Sequence, residues 1–67
     1  MHEQQRFRYE RIIQVKDGSW IDYAKYPCAS SGRMAGDDMA LMRSDARDRI
    51  ATVGKPNVRI IKRRTAA

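Results

Sequence analysis

Catalysis in this 67-residue chain would have to start from Cys28, its single thiol, and His2, its single imidazole. A nucleophile and its base must sit within hydrogen-bond reach, with a third group orienting them. His2 stands beside the chain start, where nothing preorganises it toward Cys28. The thiol is therefore expected as a small residue filling the corner between a strand and a helix. One Cys and one His fall short of the roughly four ligands of a structural zinc site, and a lone Cys makes no disulfide framework. Asp37-Asp38 has the charge to hold a divalent cation, but adjacent helical residues point about 100° apart. Their expected role is to open a helix, where the backbone dipole favours acids. Gly32 and Gly36 fit neither the GxxxxGK[ST] nor the GxGxxG phosphate-binding pattern. The chain is expected to be no enzyme and to need no cofactor or metal.

Binding chemistry is better supplied. Of the net charge of +6, five units fall in Lys55–Ala67, which holds Lys55, Arg59, Lys62, Arg63 and Arg64 and no acid. Residues 1–16 contribute +2 and residues 17–54 contribute −1. Charge gathered at one end steers an anionic partner, whether nucleic acid, a membrane surface or an acidic protein face. Trp20 adds an aromatic, expected beside Ile12 and close to Arg8 and Lys16. An aromatic among cations on an open sheet face can hold single-stranded nucleic acid by stacking and phosphate contacts. The same Trp-and-Arg surface describes a protein hot spot. Two plainer readings stand beside these: Trp20 as core, and Lys62-Arg63-Arg64 as charge that keeps an edge strand from aggregating. Roughly three or four phosphate contacts would give a log–log salt slope of about −3 to −4, too shallow for tight specific recognition. The candidate partner-binding residues are Arg8, Trp20, Arg59, Lys62, Arg63 and Arg64.

Strands must position these side chains. Residues 7–15 alternate, with β-branched and aromatic side chains at most odd positions, which predicts a half-buried strand. Residues 20–26 form a second run, stopped by Pro27, and Asp17-Gly18 between the two is a strong hairpin signal. A two-residue turn would set Asp22 opposite Ile13, among core residues. A three-residue loop, Lys16-Asp17-Gly18 with Gly18 left-handed, pairs Val15 with Ser19, Ile13 with Ile21 and Arg11 with Tyr23. It separates the faces better: Phe7, Tyr9, Ile13, Val15, Ile21 and Tyr23 on one, and Arg8, Glu10, Ile12, Gln14, Trp20 and Asp22 on the other.

Ala35, Met39, Met42, Ala46, Ile50 and Val53 recur at helical spacing, which predicts a helix over about 32–53. Ser30 or Ser31 would cap it, with Asp37 the cap if it starts late, and Gly54 and Pro56 would end it. Arg33/Asp37 and Asp45/Arg49 are spaced for ion pairs on its open face. Residues 58–63 predict a last strand beside the first, and Thr65-Ala66-Ala67 a frayed end. The expected fold is a ββαβ two-layer α+β domain over residues 1–67, with sheet order 2-1-3, antiparallel throughout, and one helix on the Ile13 face.

A domain this short buries only about 60% of its unfolded surface. The composition, 42% hydrophobic and 33% charged, is nevertheless that of a folded chain. Either the core is compact and self-sufficient or some stability comes from self-association or binding, so a homodimer is one expectation. No secretion signal or membrane-spanning apolar run is read in the sequence, and an unbridged Cys suits a reducing interior. A cytoplasmic protein is expected.

The hairpin around Lys16-Asp17-Gly18-Ser19-Trp20, the Tyr26-Pro27 corner, the single helix and the closing Val58-Arg59-Ile60-Ile61-Lys62-Arg63 strand resemble the layout of very small phage accessory proteins. The overall shape is similar to that of phage inhibitors of host machinery, anti-CRISPR proteins among them. The resemblance spans most of the chain through layout, so no functional residue is carried over. It implies a non-enzymatic inhibitor or adaptor that docks on a larger host protein or ribonucleoprotein complex. A direct DNA- or RNA-binding accessory protein is the alternative.

Overall fold

The computed structural model describes residues 7–29 and 32–66. Five elements follow in order: β1 (Phe7–Asp17), β2 (Ser19–Cys28), α1 (Gly36–Val53), a short 3-10 turn at Lys55–Asn57, and β3 (Val58–Ala66). The strands form a sheet of order β2-β1-β3, antiparallel at both junctions. With α1 against one face, this is the ββαβ two-layer α+β domain that the alternation and the helical stripe predict.

The hairpin pairing differs from either expected register. Lys16 faces Trp20 and Val15 faces Ile21, and Gly18 sits at the apex with φ 78°. The register then shifts between Ile13 and Gln14. Gln14 pairs with Asp22 but Ile13 pairs with Ala24, so Tyr23 is an extra residue, a bulge. Arg11 consequently faces Tyr26 and not Tyr23.

The bulge exchanges the faces of β2 halfway along. Before it, Trp20 and Asp22 share the side of Lys16 and Gln14. After it, Ala24, Tyr26 and Cys28 join Ile13 on the opposite side, beneath the helix. Tyr23, expected in the core, is instead 52% exposed, and Ile21 is 48% exposed.

Pro27 does not stop β2, which runs on to Cys28. An edge strand tolerates a residue with no N–H to donate. β3 likewise extends beyond the expected 58–63 and holds Thr65 and Ala66 in the ladder opposite Arg8 and Phe7. The helix starts four residues later than about 32. The Gly32 N–H donates to Ala29 O and the Ala29 N–H to Arg33 O, both at 2.7 Å, so these backbone groups are paired with one another ahead of the helix. Ala35, extended, takes the position before the helix, with no side-chain cap, and Asp37 and Asp38 lie in the first turn. Ser30 and Ser31, the expected caps, and the side chain of Phe7 fall outside the described set. At the other end Gly54 closes the helix, its N–H donating to Ile50 O at 2.8 Å.

Met42 and Ala46 on α1 pack with Ile13, Tyr26 and Met34, and Ala24, Cys28, Met39 and Val58 border them. Cys28 is thus the half-buried filler expected of it. Tyr26 spans the layers, its hydroxyl donating to the Asp45 carboxylate on α1. Burial first, and this bond second, push the phenol well above its ordinary value. Asp45 therefore does not pair with Arg49, which lies over the Tyr23 ring at 4.8 Å. The Arg33/Asp37 pair does not close either, because Arg33 precedes the helix. The Cα radius of gyration is 13.7 Å, against about 11 Å for a compact chain of this length. The molecule is therefore a thin slab, 12 Å along its shortest axis, with one sheet face uncovered.

Candidate docking face

The uncovered face is built from the even residues of β1 and their partners. Gln14 stands between Asp22 on β2 and Arg59 on β3. Its amide is bonded on both sides: Nε2 donates to Asp22 Oδ1 at 2.8 Å, and Oε1 accepts from Arg59 Nε at 2.7 Å. That is how a glutamine can be buried in a small sheet without loss. Arg63 reaches diagonally across β1 and clamps Asp22 with both terminal guanidinium nitrogens, at 2.8 and 3.2 Å.

This ion pair passes over Ile12, which lies between rows Glu10 and Gln14 and is fully buried although it points away from the helix. The arginine stem and the polar chain together cover an apolar side chain that no helix covers.

Arg59 also stacks its guanidinium on Trp20, 4.2 Å from the ring centroid, and the Lys16 ammonium lies 5.9 Å from it. Trp20, Arg59, Gln14, Asp22 and Arg63 thus form one continuous chain of contacts across all three strands.

The sequence-expected residues divide between two places. Trp20, Arg59 and Arg63 are brought together. Arg8 is on the same face but at its far end, opposite Thr65, and not near Trp20. Lys62 and Arg64 point to the helix side, with Lys62 over the Tyr9 ring at 5.1 Å. The basic last strand is therefore two surfaces and not one patch. Gln14 and Asp22 were not singled out by sequence, because their part depends on the pairing of three strands.

The Arg63 bonds first, and the Gln14 amide second, hold the Asp22 carboxyl at about 2, below its ordinary 3.8. A carboxyl depressed in the folded state stabilises above its unfolded value and loses that effect as pH falls. The stability difference between wild type and Asp22→Asn is expected to be full above about pH 4 and to vanish toward pH 2. Urea midpoints measured across that window check it.

The fold and this face define the class: a small two-layer α+β domain with an arginine–tryptophan face on an open sheet. No protein-family model, curated protein or solved structure matches the chain. Among the described residues no group of acids, His and Cys is placed to hold a metal ion, and no helix is long and apolar enough to cross a membrane.

Proposed function

We propose that this is a non-enzymatic binding protein that docks its open sheet face on an acidic surface of a larger protein. The observation that carries this is the Trp20–Arg59 stack, fixed by Gln14 and Asp22 before any partner arrives. A tryptophan and an arginine held in one geometry lose little side-chain freedom on binding, which is what makes such residues anchors. The resemblance of the sequence's layout to phage inhibitors of host machinery is the ground for proposing a nucleic-acid-handling complex as the owner of that acidic surface.

The stack also weighs against Trp20 as a platform for bases, since Arg59 already occupies a face of the ring. The chain has a single Trp, so its fluorescence reports on this face alone. Titration with single-stranded DNA or RNA at physiological salt is expected to leave Trp20 emission unquenched. Saturable quenching would favour direct nucleic-acid binding on this face.

A further inference from the structure

At the outer edge of β3 we propose a docking site for one extended acidic segment of a partner protein, which adds to the sheet as a fourth strand. β3 ends the sheet, and among the described residues no other backbone is laddered to its outer side. It pairs with β1 from Val58 to Ala66 without a register shift, so this edge is regular along its length. Every second residue of such an edge turns its N–H and C=O outward, a template for another strand.

The two edges of the sheet are not alike. β2 is interrupted by the Tyr23 bulge and by Pro27, which has no N–H to give. β3 holds neither a proline nor a bulge. Its protection is charge, and charge selects the partner. Lys55–Ala67 carries five cations and no acid. A second copy paired antiparallel along the whole of Val58–Ala66 would set Lys62 against its own equivalent, like charges directly opposite. An acidic strand meets the same row with attraction.

The side chains flanking the edge set the pattern of the segment. On the helix side stand Ile60, which is 41% exposed, and the exposed Lys62. Lys62 lies over the Tyr9 ring, a contact that keeps its charge. On the open side Arg63 is already held by Asp22, and Arg59 by Gln14 and Trp20, with Ile61 between them. The segment that fits therefore alternates, with acids on the side of Lys62 and apolar residues on the side of Ile61. The edge binds through backbone and the open face through side chains, so the two dockings can succeed or fail separately.

The test is NMR of the 15N-labelled full chain titrated with three capped octapeptides: alternating Glu and Val, the same with every amide N-methylated, and alternating Lys and Val. The Glu–Val peptide is expected to shift β3 amides saturably and to slow hydrogen exchange at alternate residues of β3. The N-methylated peptide keeps the charge but cannot join a ladder, and neither it nor the Lys–Val peptide should bind. Lys62→Glu should weaken Glu–Val binding about tenfold. Arg47→Glu, the same change of charge at an exposed helix position, should leave it within about twofold.

Equal binding of the N-methylated or Lys–Val peptide, saturable shifts confined to residues outside β3, or β3 amides unmoved at millimolar peptide would overturn the proposal. Equal weakening by the two variants would do the same. So would β3 exchange that slows with protein concentration alone, which gives the edge to a second copy. The wild-type spectra decide it even if the variants do not fold.

Discussion

Ile13→Ala is expected to remove most of the stability of this domain. Ile13 is fully buried at the centre of the sheet, with Ala24 and Ile60 as cross-strand neighbours and Met42, Ala46 and Tyr26 against it. Truncating such a side chain costs about 2–5 kcal/mol. A chain of this length has about 3–10 kcal/mol in total. Few other side chains are buried on this face, so little can close the cavity. Urea unfolding should show a large fall in midpoint or no folded baseline. Ile60→Ala, at a position 41% exposed on the same face, should cost under about 1.5 kcal/mol. An equal loss at both sites would mean that Ile60 is covered in solution, as it would be in a homodimer.

Trp20→Ala carries the second large effect, on binding. The half-buried ring is the floor on which Arg59 lies, and its removal takes away the anchor and frees the guanidinium together. Loss of a central Trp or Arg anchor weakens a protein complex by about 2–4 kcal/mol, roughly 30- to 1000-fold. Arg59→Lys should not rescue the partner affinity of Arg59→Ala, because an ammonium cannot both stack flat on indole and donate sideways to Gln14. Competition binding of the three variants against the labelled wild type measures both effects. Far-UV circular dichroism should show their folds unchanged.

Much of this architecture was legible in the chain. The alternation over residues 7–15, the Asp17-Gly18 apex, the helical stripe from Met39 to Val53 and the Gly54 stop each rest on local rules, and each element is present. The pairing within the hairpin was not legible by one continuous alternation, because the bulge at Tyr23 changes its phase. The signal was nevertheless there. Ile21 and Tyr23 are apolar at odd positions, whereas Ala24, Tyr26 and Cys28 are small or apolar at even ones. Two phases in one strand need an extra residue between them.

The helix was expected from about 32 because Ser30 and Ser31 look like caps; the alternative of a late start capped by Asp37 lay nearer the observed start at Gly36, and the backbone bonds among Ala29, Gly32 and Arg33 ahead of it are not announced by sequence. At the docking face, Trp20 and the arginines were readable as types. Their division between two faces follows from the period of two along β3. Gln14 and Asp22 gain their part only when β2 and β3 flank β1.

Docking of the open face with Trp20 and Arg59 on a protein, as proposed, is tested by affinity capture from nuclease-treated host-cell lysate. Three baits are compared: wild type, the double variant Trp20→Ala/Arg59→Ala, and Leu41→Ala on the exposed side of α1. Wild type and Leu41→Ala are expected to recover a stoichiometric, nuclease-resistant protein complex, and the double variant to recover none. Partners that disappear with nuclease, or that the double variant retains in full, would contradict it.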